Sequence, residues 1–447
     1  MENQKRKNKI LIANRGEIAV RIIRAARLLG IQTVAVYAEP DHDALHVAMA
    51  DEAVKVGPAS LSQSYLNQDA ILAAAEITGC TAIHPGYGLL SENADFAQLV
   101  EEKGFIFIGP TAKTIRMMGN KSAARQEMTR IGVPIVAGSH QSFTEAPRGL
   151  KQAEEIGYPV MLKAVGGGGG KGMRVVENEE SFASEFQLAQ QEVLAVANDK
   201  RMYLEKFVDR PRHIEIQVLG DGNGHGLVLG DRDCTIQHRH QKMIEEAPSV
   251  YLDESTRQEM FALALKATEK MNYRGAGTFE FLYQGPGRYY FMEMNTRIQV
   301  EHAVTEEREG IDLIGAQLAL AFGTDLQTIA HHEQPVVAIE ARVLAKSAGE
   351  ITGLHLPAGL GIRIETAIYQ GYRVPSNYDA MILKIIATDF SREGALKRLR
   401  VAIDETVILG IETNLDLLSK ILYHPDFIAE NSRTDINWLD RQLEGEK

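Results

Sequence analysis

Short apolar runs alternate with amphipathic stretches in the first part of the chain. Lys9–Ala13 and Gln32–Tyr37 are apolar runs of strand length, and Glu17–Leu29 between them has the spacing of a helix that ends at Gly30. This order predicts a βαβ unit, and therefore a parallel sheet with a right-handed crossover. The alternation continues with helices predicted at 69–78 and 93–102 and strands at 81–84 and 106–108.

The pattern changes after about residue 120, where pairs of strands joined by glycine turns predict antiparallel sheet mixed with helices. The predicted pairs are Val160–Ala164 with Gly172–Val176, His213–Leu219 with Leu227–Asp233, and Gly277–Tyr283 with Tyr289–Asn295. A third region opens at Pro335, with strands near Val336–Val343, Gly361–Thr366 and Met381–Thr388 and a helix at Arg392–Glu405. We therefore predict an α/β and α+β protein with an N-terminal Rossmann-like domain at 1–120, a central domain at 121–325 and a C-terminal mixed α/β domain at 326–447.

Composition and charge narrow the class of protein. A chain of 447 residues with 45% apolar and 24% charged residues is long enough for roughly three globular domains. The net charge of −12 argues against a general binder of nucleic acid or anionic membrane. Cys80 and Cys234 have no metal-ligand spacing, which fits a reducing compartment. The apolar stretches at Ile10–Ala13 and Leu313–Phe322 are too short for a signal sequence and a membrane span, so we expect a cytoplasmic protein.

Residues 166–172 read GGGGGKG, which matches neither common phosphate-binding loop. A Walker loop needs glycine where Val165 stands and Ser or Thr where Gly172 stands. A Rossmann fingerprint leads into a helix, but the apolar run at 173–176 predicts a strand. We interpret the glycines as the tip of a β-hairpin that closes over phosphates through its bare N–H groups, and an unstructured linker is the alternative.

The turn Asn14-Arg15-Gly16-Glu17 lies between a predicted strand and a predicted helix, a position where nucleotides often bind. It has one glycine where the dinucleotide fingerprint has three. We therefore favour plain packing of the helix on the sheet over nucleotide binding at this turn.

The segment at 277–302 carries two glutamates that a hairpin would bring together. A turn centred between Pro286 and Gly287 places Glu280 directly opposite Glu293, with Asn295 on the same face. Two close carboxylates repel unless a proton or cation lies between them, and oxygen donors suit Mg²⁺ that also holds phosphates. The alternatives are an exposed polar face, or a carboxylate pair for acid–base hydrolysis that would leave the glycine run without a role.

Arg297, Gln299 and Glu301 follow the carboxylate pair at alternate positions. We expect an extended stretch here, which would aim all three side chains at one point. Arg and Gln can hold a small anion by hydrogen bonds, and Glu can take a proton from it. A solvated strand face is the alternative, but the neighbouring carboxylates favour an anion site.

Other polar residues point to anion contact. The run QHRHQK at 237–242 is rich in hydrogen-bond donors and lacks the second ligand pair of a zinc site. RNA contact is an alternative, but the chain is acidic and no aromatic residue flanks the run. Lys163 lies in an apolar strand, where a lysine needs a charged partner, and Lys121 is a further isolated lysine. Glu205-Lys206 follows a short strand and could hydrogen-bond the edge of a base.

Together these residues resemble the biotin carboxylases, members of the ATP-grasp superfamily, over nearly the whole chain. The resemblance implies an ATP-grasp central domain with a glycine-rich lid subdomain at about 138–206. The last three of the matching segments are the most specific for the biotin-dependent branch. The segments are IANRGEIAVRIIRA at 12–25, HPGYGLLSEN at 84–93, MGNKSAA at 118–124, KAVGGGGGKGMRVV at 163–176, PRHIEIQVL at 211–219, RDCTIQHRHQKMIEEAP at 232–248, GAGTFEF at 275–281 and EMNTRIQVEH at 293–302.

The resemblance implies a role for each matching position. The ATP phosphates would be bound by Lys121, Lys163, His240 and the lid glycines, among them Gly168, Gly169 and Gly170. The adenine and ribose would be bound by Glu205, Lys206, the backbone of Val208, His213 and Gln237. Two ions of Mg²⁺ or Mn²⁺ would be bound by Glu280, Glu293 and Asn295. Bicarbonate would be bound by Lys242, Arg297, Gln299 and the Val300 N–H, with Glu301 as general base and Arg342 stabilising the biotin enolate.

The resemblance also implies the order of the chemistry. Bicarbonate attacks the γ-phosphoryl group of ATP and gives ADP and carboxyphosphate, which breaks into CO₂ and phosphate. Phosphate removes the N1 proton of biotin, and the enolate captures CO₂. Transfer of a phosphoryl group needs metal and lysines, and an intermediate that water can hydrolyse needs a lid.

The sequence departs from the family pattern at three places. The segment after Arg342 is short, because residues 344–350 run directly into Ile351, and this alters the wall expected beside biotin. A homodimer is expected from the match of Arg24 and Arg363, but Leu28 stands where the family has an acidic residue. Lys171 stands where an arginine is common, which keeps the charge and loses the fork.

The chain has no Ala-Met-Lys-Met biotin-attachment tetrad, so we expect it to act on biotin held by a separate carboxyl carrier protein, beside separate carboxyltransferase subunits. Separate subunits of this kind are typical of a bacterial acetyl-CoA carboxylase in fatty-acid synthesis. We expect neither a nucleic-acid partner nor a membrane partner for this chain. Two alternatives stay open: an ATP-grasp ligase with an amine or peptide acceptor, and a regulatory paralogue that binds nucleotide without turnover.

Overall fold

The computed structural model describes residues 8–139, 141–165, 172–194, 200–429 and 432–445. The first region contains β1 Lys9–Ile12, α1 Gly16–Leu28, β2 Gln32–Ala38, α2 Leu45–Met49, β3 Glu52–Gly57, α3 Gln68–Thr78, β4 Ala82–His84, α4 Ala94–Glu102, β5 Ile106–Phe107 and α5 Ala112–Gly119. Its strands form a parallel sheet in the order β3-β2-β1-β4-β5. The predicted βαβ unit and parallel sheet are confirmed.

The helices of this region begin and end where local chemistry predicts. The side chains of Asn67 and Asn93 accept hydrogen bonds from the backbone N–H groups of Ala70 and Phe96 and so cap α3 and α4. Helix α3 ends at Gly79, whose φ of 68° is left-handed and costs glycine little. Helix α1 buries its apolar face between the parallel sheet and the later parts of the chain.

The second region contains α6 Lys121–Ile131, α7 Ala146–Ile156, β6 Val160–Ala164, β7 Met173–Val176, α8 Glu179–Leu194, β8 Met202–Lys206, β9 Arg212–Asp221, β10 Gly226–His238, β11 Gln241–Ala247, α9 Glu254–Lys270, β12 Arg274–Gly285, β13 Arg288–Asn295, α10 His302–Glu309 and α11 Leu313–Ala321. Strands β6, β7 and β8 form a small antiparallel sheet in the order β7-β6-β8. Phe143, Leu162, Phe182 and Phe186 give this sheet and its two helices a hydrophobic core of their own. The part predicted as a lid is therefore a separately packed unit.

The third region contains β14 Val337–Leu344, β15 Gly349–Glu350, β16 Gly353–His355, β17 Ile362–Thr366, β18 Arg373–Val374, β19 Met381–Asp389, α12 Arg392–Glu405, β20 Val407–Leu409, α13 Leu415–Tyr423, α14 Pro425–Ile428 and α15 Trp438–Gly445. An eight-stranded antiparallel sheet runs in the order β13-β12-β9-β10-β11-β14-β19-β17. It crosses the predicted boundary at 325/326, because β11 pairs with β14. The three predicted strand pairs are confirmed, two of them in this sheet and one in the small sheet, while the glycines at 166–170 lie outside the described residues. The large sheet joins the second region to the third.

Among the residues that the structure describes, no helix combines the length and the apolar character needed to cross a bilayer.

Candidate active site

A cavity of about 650 Å³ lies where the eight-stranded sheet, the lid and the first region meet. Tyr87 comes from the first region, Lys163 from the lid and Arg342 from the third region, so all parts of the chain contribute to its wall. The cavity is lined by most of the residues singled out from the sequence. These are Lys121, Lys163, Glu205, His213, Gln237, His240, Lys242, Glu280, Glu293, Asn295, Arg297, Gln299, Val300, Glu301 and Arg342.

The remaining predicted residues do not line this cavity. Lys206 turns its ammonium to the carbonyl oxygens of Gly157 and Tyr158, at 2.9 and 2.8 Å, and so braces the lid. Val208 is also absent from the cavity wall. Gly168, Gly169 and Gly170 lie outside the described residues.

Three glutamates stand in a row on neighbouring strands of the large sheet. Glu280 of β12 pairs with Glu293 of β13, as predicted, and on its other side with Glu215 of β9. The register shifts by one residue after the Glu280–Glu293 pair, towards the turn. Directly paired side chains lie about 5 Å apart at Cβ, so three charges in this row need cations beside them.

Lys242 provides the cation for this row. Its ammonium lies 3.0 Å from Glu280 Oε1 and 2.7 Å from Glu301 Oε1, and it also contacts Glu215. Burial alone would lower the pKa of Lys242, but the three carboxylates outweigh burial and raise that pKa well above its usual value. Lys242 is therefore a charged centre shared by three buried carboxylates.

His213 lies beside two of these carboxylates, those of Glu215 and Glu280. Its Nε2 lies 3.1 Å from Glu215 Oε1 and 3.2 Å from Glu280 Oε2. Burial opposes the charged form, but Glu280 outweighs it and the pKa of His213 rises to about 9. His213 is accordingly an imidazolium at neutral pH.

The expected extended stretch at 297–301 is wrong. The chain leaves β13 at Asn295 and bends, and Glu301 occupies the N-cap position of α10. The side chains converge because of this turn: Gln299 Nε2 donates to Glu280 Oε1 at 2.8 Å, and Glu301 reaches Lys242. Arg297 instead donates to Asn295 Oδ1 at 2.9 Å and to a carboxylate of the first region, Glu92 Oε2, at 2.8 Å.

Glu301 lies between two cations from different regions. Arg342 Nη2 donates to its Oε2 at 2.8 Å, and Lys242 holds its Oε1. Burial would raise the pKa of Glu301, but Lys242 and Arg342 lower it to about 2. In this state Glu301 is a weak base, because a useful base has a pKa near the working pH.

The predicted metal ligands fit a divalent cation by their chemistry. Within the described residues Glu293 makes no hydrogen bond or ion pair, and burial together with the charge of Glu280 raises its pKa. A cation between the two glutamates would relieve this repulsion, and Asn295 supplies a further oxygen after a turn of its amide, whose NH₂ now donates to Glu280 Oε1 at 2.6 Å. A ring nitrogen of His213 and carboxylate oxygens of Glu215 and Glu280 also lie within 4.8 Å of one another, but a charged imidazole has no lone pair for a metal ion.

The lid side of the cavity carries further charge. Glu205 contacts Lys163 and accepts from Arg125 Nη1 at 2.6 Å, which gives the apolar strand β6 the charged partner that its lysine needs. Arg239 and His240 both have positive φ, 50° and 64°, and form the tight turn between β10 and β11. This turn presents His240 at the cavity mouth.

Sequence reasoning missed Glu92, Tyr87 and, most importantly, Glu215 and Arg232. A signal for Glu215 was present, because polar residues at every second position of an apolar strand mark one face of a central strand. Glu92 and Tyr87 carried no such signal, since they lie in an irregular segment that only the tertiary fold brings to the cavity.

Behind Arg342 lies a buried pair of carboxyl groups. Glu245 and Glu340 face each other on β11 and β14, and Arg342 Nε lies 2.5 Å from Glu245 Oε1. Burial and the charge of Glu245 raise the pKa of Glu340 to about 8, against the pull of Lys384. The native state therefore keeps a proton that an unfolded chain, with a carboxyl pKa of 4.5, releases.

We expect the free energy of unfolding to fall as the pH rises from about 5 to 8, by up to about 1.4 kcal/mol per pH unit from Glu340 alone. The Glu340→Gln variant should lose this part of the pH dependence and gain stability relative to the parent at pH 8. Urea unfolding at pH 5.5 and pH 8 measures the effect, with the exposed Glu177→Gln as control. Equal pH slopes for parent and Glu340→Gln would contradict it.

The fold and the cavity define an enzyme of the ATP-grasp class: a lid over a large antiparallel sheet, with paired carboxylates and lysines between them. The chain belongs to the biotin carboxylase family. It matches the models "Biotin carboxylase, N-terminal domain" at residues 6–115, "Carbamoyl-phosphate synthase L chain, ATP binding domain" at 120–329 and "Biotin carboxylase C-terminal domain" at 339–441. Membership makes it an ATP-dependent carboxylating ligase.

Relatives match over nearly the full chain. The biotin carboxylase of Pseudomonas aeruginosa is 48% identical over 97% of this chain and 98% of its own length, and biotin carboxylase 1 of Bacillus subtilis is 49% identical over 95% and 97%. A crystal structure described as the biotin carboxylase–βγ-ATP complex from Campylobacter jejuni has a TM-score of 0.92 at 44% identity. The match covers 98% of this chain and 100% of that chain. The biotin carboxylase domain dimer of Hydrogenobacter thermophilus 2-oxoglutarate carboxylase, with MgADP, ADP and bicarbonate, has a TM-score of 0.89 at 42% identity and 98% coverage of both chains.

Proposed function

We propose that this chain is the biotin carboxylase subunit of an acyl-CoA carboxylase, most simply the acetyl-CoA carboxylase of bacterial fatty-acid synthesis. The observation that carries the proposal is the meeting of Lys242, Glu301 and Arg342 at one cavity beside the Glu280–Glu293 pair. An anion site, a base and a carboxylate pair within one cavity are what joining bicarbonate to a phosphoryl group requires.

Each part of the cavity has a proposed task. Lys121, Lys163 and His240, with the lid glycines, hold the phosphates of ATP. The nucleoside is held by Glu205, His213 and Gln237 of the cavity wall, together with Lys206 and Val208 outside that wall. Glu280, Glu293 and Asn295 would hold Mg²⁺ or Mn²⁺, which when bound neutralises charge on the phosphates. Lys242, Gln299 and the Val300 N–H hold bicarbonate, joined by Arg297 once it releases Asn295 or Glu92.

The proton balance of the proposed reaction depends on Glu301. Bicarbonate beside Lys242 and Arg342 shares the cations that keep the pKa of Glu301 low, so Glu301 becomes basic as the substrate binds. It then takes the bicarbonate proton while the carbonate oxygen attacks the γ-phosphorus and ADP leaves. The resulting carboxyphosphate gives CO₂ and phosphate, phosphate takes the N1 proton of biotin, and Arg342 stabilises the enolate that captures CO₂.

The proposal extends to the assembly. Biotin would arrive on a separate carboxyl carrier protein and leave to separate carboxyltransferase subunits in the cytoplasm. A homodimer is proposed through the end of α1, where the side chain of Arg24 is 44% exposed and Leu28 is 83% exposed. The domain boundaries at 120/121 and 325/326 belong to this proposal as well.

We expect ADP release from ATP, Mg²⁺ and bicarbonate to rise when biotin is added. The reason is that bound biotin consumes CO₂ and draws the phosphoryl-transfer step forward. A coupled ADP assay measures the rate, with circular dichroism to show that the protein is folded.

Two results would redirect the proposal. ATP binding without turnover would favour the regulatory paralogue, and turnover stimulated by an amine or peptide but not by biotin would favour the alternative ligase. Reconstitution with a carrier and transferase, offered acetyl-CoA against longer acyl-CoA substrates, then tests the physiological role.

A further inference from the structure

Arg232 of β10 lies fully buried beneath the cavity and does not itself line it. Its guanidinium makes six hydrogen bonds to five acceptor atoms, which lie on β9, β12, α10 and the turn before α10. Nε and Nη2 reach Glu215 Oε2 at 3.2 and 2.9 Å, Nη1 reaches Gln217 Oε1 at 2.7 Å and Thr305 Oγ1 at 2.9 Å, and Nη2 reaches Thr278 Oγ1 at 3.2 Å and Gln299 Oε1. An arginine is rarely buried so deeply, and these acceptors satisfy it.

The contact with Gln299 fixes the direction of an amide. A guanidinium can only donate hydrogen bonds, so the amide of Gln299 must turn its carbonyl oxygen to Arg232. The NH₂ group then has to face the cavity, where it donates to Glu280 Oε1 at 2.8 Å. Without Arg232, the two orientations of the amide would differ far less in energy, and the oxygen could face the cavity.

The same guanidinium also determines which oxygen of Glu215 is available to Lys242. Arg232 holds its Oε2, and this leaves Oε1 for Lys242. The cavity above Arg232 therefore presents hydrogen-bond donors from both Gln299 and Lys242 at the place where a small anion would bind.

We propose that Arg232 is a positioning residue that holds the Gln299 amide with its NH₂ towards the bicarbonate site, so that this position selects an oxyanion by donating to it. The inference rests on the proposed role of Gln299 in bicarbonate binding. Arg232 does not touch the substrate and acts through Gln299.

A double-mutant cycle tests the proposal. Arg232→Lys keeps the charge but loses the fork, and should raise the KM for bicarbonate about tenfold while the KM for ATP stays within about twofold. Gln299→Leu should raise the KM for bicarbonate by a similar factor. In the double variant the two effects should not multiply, because Arg232 acts through an amide that is no longer there.

The outcomes separate this proposal from the one on which it rests. An unchanged KM for bicarbonate in Gln299→Leu would refute the role of Gln299 itself. Two results would refute the positioning role of Arg232 alone. One is a KM for bicarbonate that rises in Gln299→Leu but not in Arg232→Lys. The other is a double variant in which the two single effects on that KM multiply. Arg392→Lys, which alters a half-buried arginine paired with the buried Glu246 outside the cavity, is the control for general damage.

If Arg232→Lys fails to fold, Gln299→Glu tests the proposal with Arg232 left in place. A glutamate can accept from Arg232 but has no NH₂ for the cavity, so the KM for bicarbonate should rise at least as much as in Gln299→Leu. An unchanged KM in this variant would show that no donor is needed here and would overturn the proposal.

Discussion

Replacing Glu301 with glutamine is expected to lower biotin-dependent ATP turnover by about 10²-fold or more, because a positioned general base contributes about 10²–10⁴-fold. The amide has nearly the same shape, so the packing of the turn should survive, although its single oxygen can accept from only one of Arg342 and Lys242. It cannot take the proton of bicarbonate. Steady-state assays with varied bicarbonate should show the loss mainly in kcat.

The control for this prediction is Glu246→Gln. Glu246 is also buried and is held by Arg392 at 2.6 and 2.8 Å, but it lies outside the cavity. Its amide variant should turn over ATP at the parental rate even if it is less stable. Turnover of Glu301→Gln within about threefold of the parent would remove Glu301 from the role of base and leave it a structural partner of the two cations.

The part of the site that depends on local pairing could be predicted from the sequence. The obvious turn at Pro286 and Gly287 predicted the Glu280–Glu293 pair, and the pair is formed because the two register shifts between the turn and the pair cancel. The βαβ start followed from periodicity in the same way. The glycine run was recognisable as something other than a Walker loop because a strand follows it, and β7 confirms that strand.

The part that depends on the order of strands could not be predicted. Lys242 and Glu301 are separated by 59 positions, and Glu301 and Arg342 by 41, and they meet because β11 and β14 are neighbours in the large sheet. The turn at 297–301 was misjudged for a related reason: alternate polar residues predict a strand, but tertiary packing bent the chain into a helix N-terminus instead.

The absence of Arg232 from the predicted site has a different cause. A single arginine next to an aspartate in RDC looks like a surface ion pair, and nothing local shows that five acceptor residues surround it. Side chains that position other side chains are recognisable only after the fold has brought their partners together.

Replacing Lys242 with methionine is expected to lower bicarbonate-dependent turnover by about 10²–10³-fold, the loss usual for one preorganised group that stabilises developing negative charge. The methionine fills a similar volume but brings no charge to the anion site. The KM for ATP should change much less, since Lys121 and Lys163 remain at the cavity wall.

The same substitution should destabilise the protein by about 3–5 kcal/mol, because it leaves three buried carboxylates without their shared cation. The sign of its pH dependence follows from linkage. Lys242 holds the pKa of Glu215 and that of Glu301 at about 2, below the ordinary value of 4.5, and its loss lets burial raise both. Glu215 and Glu301 of the variant then take up protons when the chain folds. The difference between the parent and the variant in the free energy of unfolding should therefore grow from pH 5.5 to pH 8.

Lys9→Met separates this effect from the loss of any half-buried lysine. The side chain of Lys9 is 13% exposed, close to the 14% of Lys242, and its ammonium contacts Glu52 and the Thr78 carbonyl oxygen far from the cavity. Its variant should keep full turnover and show no deficit that grows with pH. If Lys242→Met matched Lys9→Met in both urea unfolding and bicarbonate turnover, the three glutamates would not depend on Lys242 for their charge, and the proposed anion site would have lost its central cation.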